Sequence, residues 1–288
     1  MITHPDKILF PDDGITKREL AGYYETMAPV MLPHLRRRLI TMERYPQGIG
    51  STGFLQKDLV KGFPAWLKRF EAPKKDGTVH YPIANDLRSL LWLSNQNTIA
   101  IHVWPSRAPQ IDRPDLCVFD LDPSVEDPEA LREAALNARG LLDELGVTSW
   151  VKTSGSKGFH IVVPVDVKTS FNESSRFASR VAEMLVDRHP RQFTLAFSKA
   201  EREGKILIDI GRNRAGATFV AAYSVRPMAG APVSAPCAWE EIERGSVGPR
   251  TFTLRTIPDR IRQVGDLWQP LRARTRASVA VRRLAMLT

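Results

Sequence analysis

The sequence predicts an α/β (α+β) fold in which a split βαβ core of the ferredoxin-like type has an N-terminal α/β segment packed alongside. Three observations support this prediction. Apolar strands and amphipathic helices alternate in the order β-α-β-β-α-β between residues 115 and 210. Capping patterns open several of the helices. A loop rich in Gly and Ser joins the two central strands as a hairpin.

The N-terminal segment shows its own pattern of elements. Thr16 and Glu19 form a capping-box pattern, which predicts a helix that continues to about Met31. A Gly-rich turn then separates two short strands, and a helix and a further strand follow. These predicted elements are the strands Leu39–Tyr45 and Phe54–Lys57, the helix Asp86–Gln96 and the strand Thr98–Val103.

The core contains the six predicted elements that give the split βαβ order. They are the strand Asp115–Leu121, the helix Pro128–Leu145, the strands Ser149–Thr153 and Phe159–Val165, a helix from Ser170 to about His189, and the strand Lys205–Ile210. A strand at Ala217–Ser224 and helices at Trp239–Arg244 and Pro258–Trp268 follow. We expect one domain over residues 1–288, with sub-regions at 1–110, 111–226 and 227–288.

Composition excludes several classes of protein. Of the 288 residues, 43% are hydrophobic and 25% are charged, which is typical of a globular chain and not of a disordered one. No apolar run is long enough to span a membrane, and the first residues lack a signal-peptide pattern. Cys117 and Cys237 are isolated, so a disulfide framework is not predicted. A cytoplasmic enzyme or binding protein remains.

The charge is unevenly distributed. The net charge is +9, but residues 1–144 carry 18 Lys+Arg against 20 Asp+Glu, and residues 145–288 carry 23 against 12. A basic half favours a phosphate-rich partner, although a protein that is merely basic would look the same. The segment Leu271–Thr288 contains five arginines and no acid, and its role stays open.

Three aspartates follow predicted strands. Asp120 and Asp122 are two positions apart, so both carboxylates point to one face of the strand. A hard divalent cation such as Mg²⁺ or Mn²⁺ would relieve their repulsion, whereas a simple strand-ending turn is the alternative. In the split βαβ order Asp209 comes close to this pair. Three carboxylates around two metal ions are suited to phosphoryl transfer.

The loop between the two central strands has features of an anion site. Its small residues can expose backbone N–H groups, and Ser154, Ser156 and Lys157 add donors suited to a triphosphate. His160 follows at the start of the next strand and can donate to a phosphate oxygen. The spacing of a Walker loop is absent, and an ordinary Gly/Ser hairpin is the alternative. Lys157-Gly-Phe also begins like an RNA-recognition signature, but the later stacking aromatics are missing.

Together these motifs resemble a known family. DLDP at 120–123, TSGSKGFH at 153–160 and IDIGRN at 208–213 are similar to the three motifs of the archaeo-eukaryotic primase superfamily. The similarity is closer to the polymerase domain of the bacterial ligase D proteins and their stand-alone relatives. Further blocks, among them IHVWPSR at 101–107, extend the resemblance over roughly residues 3–260.

The resemblance implies a template-directed polymerase that extends primer ends and fills short gaps in DNA repair or non-homologous end joining, with ribonucleotides preferred. It implies two Mn²⁺ or Mg²⁺ ions, gapped or broken 5′-phosphorylated DNA and NTP or dNTP as ligands, and a Ku-type end-binding protein and a separate ligase as partners. No membrane is implied, and the location would be cytoplasmic and nucleoid-associated.

The resemblance also implies roles by position. The metal ligands would be Asp120, Asp122 and Asp209; the nucleotide would contact Phe54, His102, Ser154, Ser156, Lys157, His160 and Arg226; and DNA would contact Lys7, Lys17 and Arg202. Three positions depart from many family members: Leu55 replaces a second aromatic, Ala217 a lysine and His4 an asparagine. A primase, a nucleic-acid-binding module and a metal-dependent phosphodiesterase are the alternatives on the same core.

Overall fold

The computed structural model describes residues 2–59, 62–74, 76–166 and 168–269, so the arginine-rich segment Leu271–Thr288 lies outside the described residues. The helices in the described part are α1 (Lys17–Leu35), α2 (Leu87–Asn95), α3 (Pro128–Glu144), α4 (Phe171–Arg188), α5 (Trp239–Glu243) and α6 (Ile257–Val264). None of these helices is long and apolar enough to cross a membrane.

The strands of the described residues are mostly short. They are β1 (Ile8–Phe10), β2 (Ile15–Thr16), β3 (Ile40–Arg44), β4 (Phe54–Gln56), β5 (Arg69–Lys74), β6 (Gly77–Pro82), β7 (Thr98–Val103), β8 (Ser106–Arg107), β9 (Gln110–Pro114), β10 (Leu116–Pro123), β11 (Trp150–Thr153), β12 (Phe159–Pro164), β13 (Phe193–Thr194), β14 (Ile206–Asp209), β15 (Phe219–Val220) and β16 (Pro236–Cys237).

The chain folds into two compact units that interleave along the sequence. The first contains the described residues up to Pro109 together with Thr218–Ala235 and Phe252–Asp266. The second contains Gln110–Ala217, Pro236–Thr251 and the described residues after Asp266. The sub-regions drawn from the sequence differ from these units, because residues 218–226 belong with the N-terminal segment, where β15 pairs with β7.

The second unit is built on a six-stranded sheet in the order β13-β14-β10-β12-β11-β16. Its four central strands, β14-β10-β12-β11, pair in antiparallel fashion. Because α3 connects β10 to β11 and α4 lies between β12 and β14, this is the predicted split βαβ order. Phe119 of β10 meets Phe177 of α4 edge to face, with ring centroids 6.1 Å apart. Odd-numbered side chains of β10 therefore face the helix layer, and even-numbered ones face the opposite side of the sheet.

Helix caps confirm several predicted boundaries. The Ser170 hydroxyl accepts from the Glu173 amide and the Glu173 carboxylate accepts from the Ser170 amide, so the predicted capping box opens α4. The Thr16 hydroxyl accepts from the Glu19 amide and opens α1. At α3 the N-cap is Asp127, with a proline in the first turn as the sequence predicts.

The first unit contains a four-stranded antiparallel sheet in the order β15-β7-β3-β4. Helices α1 and α2 pack against each other beside it. The buried phenol of Tyr24 on α1 donates to the backbone oxygen of Ile99 on β7 at 2.6 Å, which ties the helix to the sheet. Two hairpins, β1–β2 and β5–β6, accompany the sheet and were not predicted.

Other predicted boundaries change for local reasons. Helix α1 continues to Leu35, four residues beyond the predicted end at Met31. The strand expected at 217–224 is limited to β15. The last helix ends at Gly265, whose φ of 69° stops it before Trp268. The run Arg36-Arg37-Arg38 after α1 suggests a solvated loop, but Arg38 is buried, and its guanidinium donates to the backbone oxygens of His34 and Trp104.

Candidate active site

A row of charged side chains crosses the central sheet of the second unit. Asp209 on β14 is directly opposite Asp120 on β10, and Asp120 is directly opposite His160 on β12. His160 is in turn opposite Lys152 on β11. Residues directly opposite each other in antiparallel strands point to the same face. These four side chains therefore share the sheet face that lies opposite the helix layer.

Asp120 lies between the side chains of His160 and Arg212. Its carboxylate lies 3.4 Å from His160 Nε2 and 3.6 Å from Arg212 Nε, and 17% of its side chain is exposed. Burial alone would raise the pKa of Asp120. The charge and hydrogen bond of His160, with the charges of Arg212 and Lys152, instead lower that pKa to about 2. Asp120 is therefore an anion at neutral pH.

Asp209 shares the guanidinium of Arg212 with Asp120. Its Oδ2 lies 3.1 Å from Arg212 Nη2, and its Oδ1 accepts from the Gly211 amide at 2.8 Å. The turn that carries Arg212 is fixed by Asn213, whose buried side chain bonds both the amide and the carbonyl of Val118, each at 2.7 Å. The GRN sequence thus holds a cation against the two carboxylates.

Asp122 is paired differently. Its Oδ2 lies 2.9 Å from Nη1 of Arg202, a buried arginine that also donates to the backbone oxygens of Ala196 and Phe197. Arg202 therefore anchors the loop before β14 onto the third predicted metal ligand. Its contact with a DNA terminus stays a prediction.

The Gly/Ser loop is organised by Ser154. The Ser154 hydroxyl accepts from the amides of Ser156 and Gly158, each at 3.1 Å, so these two N–H groups are used within the loop. The anion-binding nest expected from the sequence therefore has two of its N–H groups already occupied. Lys157 is exposed, and the Ser156 carbonyl accepts from Arg250 Nε at 2.7 Å. Arg250 was not among the predicted site residues.

In the first unit His102 has a carboxylate partner. Its Nε2 lies 2.8 Å from Glu43 Oε2, and less than a fifth of either side chain is exposed. The Tyr45 hydroxyl donates to the other oxygen of Glu43 at 3.1 Å. The charge of Arg226 also acts on Glu43 and helps to lower its pKa. His102 and Arg226, two residues predicted to bind the nucleotide, thus both interact with Glu43. The sequence did not suggest a role for Glu43.

The predicted 5′-phosphate residues lie in a basic cluster of the first unit. Lys17 is buried, and its Nζ donates to the Thr3 hydroxyl at 3.3 Å. Burial and the nearby charges of Lys7 and Arg44 lower the pKa of Lys17. Arg44, another residue that the sequence did not suggest, lies 5.4 Å from the ring centroid of Phe54, which is 46% exposed. The structure therefore brings both lysines together with Arg44.

The aspartates fit divalent cations in the chemistry of their donors, since carboxylate oxygens are the ligands that Mg²⁺ and Mn²⁺ prefer. Within the described ranges, however, no three His, Cys, Asp or Glu side chains converge closely enough to hold a metal ion. Arg212 and Arg202 hold the carboxylates instead. Metal binding at all three aspartates would have to displace these guanidinium groups.

Comparison with known proteins supports one family. The family model "LigD, primase-polymerase domain" matches residues 16–268. The chain is 36% identical over 275 residues to the multifunctional non-homologous end joining protein LigD of Mycolicibacterium smegmatis, which covers 94% of this chain and 36% of that protein. It is 32% identical over 265 residues to the bifunctional LigD of Bacillus subtilis, with 91% of this chain and 42% of that protein covered. The chain thus spans about two fifths of the length of these relatives.

A solved structure gives the same result. The polymerase domain of Mycobacterium tuberculosis ligase D, in complex with DNA, superposes with a TM-score of 0.89 and 33% identity, covering 95% of this chain and 98% of that one. The mixed α/β fold class and the resemblance seen in the motifs are confirmed. The chain belongs to the family of LigD primase-polymerase domains, which are metal-dependent, DNA-directed nucleotidyltransferases.

Proposed function

We propose that this chain extends primer ends and fills short gaps in DNA during the repair of broken ends. One observation carries the proposal: Asp120 and Asp209 share one sheet face, directly opposite each other and flanked by His160 and Arg212. Such a row of paired acids and cations is suited to charge that moves between oxygens during phosphoryl transfer. Membership of the polymerase family points to the same chemistry.

The proposed reaction is attack of a primer 3′-hydroxyl on the α-phosphate of a nucleoside triphosphate, with pyrophosphate leaving. Two Mn²⁺ or Mg²⁺ ions held by Asp120, Asp122 and Asp209 would supply positive charge at the attacking hydroxyl and at the leaving phosphates. The low pKa of Asp120 keeps that carboxylate ionised at neutral pH. Arg212 and Arg202 would release their carboxylates as the ions bind and become available to phosphate oxygens.

We assign the incoming nucleotide to the positions that the family resemblance implies. Lys157, His160, His102 and Arg226 would contact the triphosphate, and Phe54 would stack on a base. Ser154 and Ser156 would shape the loop, in which the Ser154 hydroxyl already fixes two amides. Preference for ribonucleotides is part of this proposal and rests on the family resemblance.

We assign the DNA to the first unit's basic cluster and to Arg202. Lys7 and Lys17 would bind the 5′-phosphate at the far side of a gap, where Arg44 adds a third cation. The solved polymerase domain of M. tuberculosis ligase D is in complex with DNA, which supports this assignment. Because these relatives are named for non-homologous end joining, we propose that a ligase and a Ku-type protein act with this chain in the cytoplasm, at the nucleoid.

Primer extension with aspartate variants tests the proposal. We expect Asp120→Ala and Asp209→Ala each to lose on the order of 10²–10³-fold or more in extension rate, because each removes a charge at the reacting centre. DNA binding should be largely retained. Asp112→Ala is the matched control, since Asp112 is an exposed aspartate whose carboxylate lies 3.5 Å from Nε of its neighbour Arg113.

The same end-labelled DNA distinguishes the alternatives. A phosphodiesterase would shorten the labelled strand, and a binding module would leave its length unchanged. A primase would synthesise a product on single-stranded template with no primer supplied. Extension at near-wild-type rates by either aspartate variant would contradict the proposed metal site.

A further inference from the structure

We propose that Glu43 is a positioning residue that orients His102 and holds it in the charged form in which it attracts the incoming triphosphate. This inference rests on the proposed function, in which His102 contacts the nucleotide. Glu43 lies outside the motifs that carry the resemblance, and it is 59 residues away from His102 in sequence.

The register of two strands brings Glu43 to His102. On β3, Thr41 is directly opposite His102 of β7, and Glu43 follows two residues later on the same face. The carboxylate reaches diagonally to the imidazole, with 2.8 Å between Glu43 Oε2 and His102 Nε2. At this distance, and with both side chains largely buried, the contact is a strong charge-assisted hydrogen bond.

A second contact fixes the carboxylate itself. Tyr45 donates its hydroxyl to Glu43 Oε1 at 3.1 Å, so each carboxylate oxygen has its own partner. Burial and the charge of Glu43 raise the pKa of Tyr45 to about 12, which keeps this phenol a neutral donor throughout the working range. The carboxylate is therefore held at two points and presents one defined oxygen to the imidazole.

The charges around the pair favour an ion pair. Burial alone would raise the pKa of Glu43, but the hydrogen bond and charge of His102 and the charge of Arg226 lower it. The described groups that interact with this carboxylate are His102 on β7, Arg226 after β15, Tyr45 after β3 and Tyr24 on α1. An anionic Glu43 in turn favours the imidazolium form of His102.

Glu43 cannot itself bind a triphosphate, because a carboxylate repels phosphate. Its presence between two residues assigned to phosphate binding would weaken affinity unless it controlled their charge and orientation. The benefit is an imidazolium that persists at neutral pH, where an isolated histidine is mostly neutral. With a neutral side chain at position 43, His102 and Arg226 should bind triphosphate well only at acidic pH.

The test is the charge state of His102, measured by NMR on protein labelled with ¹⁵N-histidine. The His102 resonance is assigned from the spectrum of His102→Gln. In Glu43→Gln, which keeps the shape of the side chain without its charge, we expect the pKa of His102 to fall by at least about one unit. Tyr45→Phe keeps the carboxylate and should move this pKa much less. Glu43→Asp, which restores the charge, should recover part of the loss.

Inorganic tripolyphosphate is the binding probe, so polymerase activity is not needed. At pH 7.5 we expect Glu43→Gln to bind it about fivefold more weakly than wild type, as the charged fraction of His102 falls. At pH 5.5, where both proteins carry the imidazolium, the variant should bind as tightly as wild type or more tightly. A purely structural role would weaken binding equally at both pH values.

Two results would overturn the inference in different ways. An unchanged His102 titration in Glu43→Gln, together with normal tripolyphosphate binding, would remove the role of Glu43 and leave the proposed function intact. Wild-type protein that fails to bind tripolyphosphate at either pH would overturn the assignment of His102 to the nucleotide, and this inference with it. Thermal unfolding of each variant serves as the control for folding.

Discussion

The two units of the molecule assemble their candidate residues in different ways. In the second unit, Asp209, Asp120, His160 and Lys152 form one row across four paired strands. In the first unit, the candidate residues come from five separate segments, which carry Lys7 and Lys17, Glu43 and Arg44, Phe54, His102, and Arg226. A regular sheet converts sequence spacing into geometry, whereas the first unit depends on strand register and loop packing that spacing does not reveal.

The electrostatics of the two units differ as well. The row in the second unit places two neighbouring carboxylates beside the cations that balance them. Burial would raise the pKa of Asp120, but His160, Arg212 and Lys152 lower it to about 2. The first unit instead places three cations close together. Burial and the nearby charges of Lys7 and Arg44 lower the pKa of Lys17. Balanced acids suit metal-assisted transfer, and concentrated cations suit phosphate binding.

The largest effect is expected at Gly158, where the Gly/Ser loop lies against the backbone of β10. A Cβ added at Gly158 would lie 1.7 Å from the backbone oxygen of Leu121, between the two aspartates of β10. Gly158→Ala must therefore displace either the loop or the strand, and we expect it to cost about 3 kcal/mol of unfolding free energy or more. Extension should fall with it, because Asp120 and Asp122 move with the strand. Chemical denaturation and primer extension measure the two effects.

Gly140→Ala is the matched control. Gly140 is exposed on α3, and an added Cβ there would meet nothing within 4 Å. Alanine in place of a helical glycine should stabilise the protein by about 0.5–1 kcal/mol. If both glycine variants behaved alike, the close approach of the loop to β10 would not be a constraint on the fold.

A smaller effect is expected from Lys152, the buried end of the row. Lys152→Met keeps much of the volume and removes the charge that acts on Asp120. We expect the single-turnover extension rate to fall about tenfold to a hundredfold, as is typical when a partner behind a metal ligand is lost. Lys168→Met, at an exposed lysine, should leave the rate unchanged. Equal rates for the two variants would show that the row ends at His160.

In the first unit, the double variant Lys7→Ala with Lys17→Ala tests the basic cluster. We expect it to lose the preference for a gap with a 5′-phosphate, about tenfold in affinity, because two charge-assisted contacts disappear. The lowered pKa of Lys17 also predicts that the wild-type preference declines at a lower alkaline pH than an ordinary lysine would give. Arg18→Ala is the control, since Arg18 is exposed and pairs with Asp6. An unchanged ratio of affinities for phosphorylated and unphosphorylated gaps would contradict the assignment.

The smallest effect is expected at the helix cap of the second unit. Ser170→Ala removes the capping box of α4 and should cost about 1 kcal/mol of unfolding free energy. The cap belongs to the helix layer, on the other side of the sheet from the row, so nucleotide affinity should not change. A thermal melt measures the loss of stability, and a nucleotide titration measures the affinity. A change in nucleotide affinity would show that the helix layer is coupled to the row on the opposite face of the sheet.

Much of the second unit could be predicted from sequence because its strands are buried and short loops fix their order. Strand β10 begins one residue after its predicted start, and the order around it follows from local patterns. In the first unit, β7 was predicted with its observed ends, Thr98 and Val103. The hairpin β5–β6 was missed because β5 is largely exposed and each strand contains a proline, Pro73 or Pro82, which weakens the strand signal.

Some of the site residues that were not predicted had a signal in the sequence, and others had none. Lys152 could have been found, since a hairpin that pairs Thr153 with Phe159 also pairs Lys152 with His160. Glu43 and Arg44 offered no such signal, because their neighbours on β7 and near the N-terminus are distant in sequence. Arg202 was expected at DNA, but only the folded chain reveals its pairing with Asp122.

The proposed activity of this chain is the transfer of nucleotides to a primer end at a gap. The most direct measurement is incubation of a gapped, 5′-phosphorylated duplex with each NTP and each dNTP, in Mn²⁺ and in Mg²⁺, followed by sizing of the labelled primer. We predict addition of the nucleotide complementary to the template, faster with NTP than with dNTP and faster in Mn²⁺. A primer that stays at its original length, or becomes shorter, under every condition would contradict the claim.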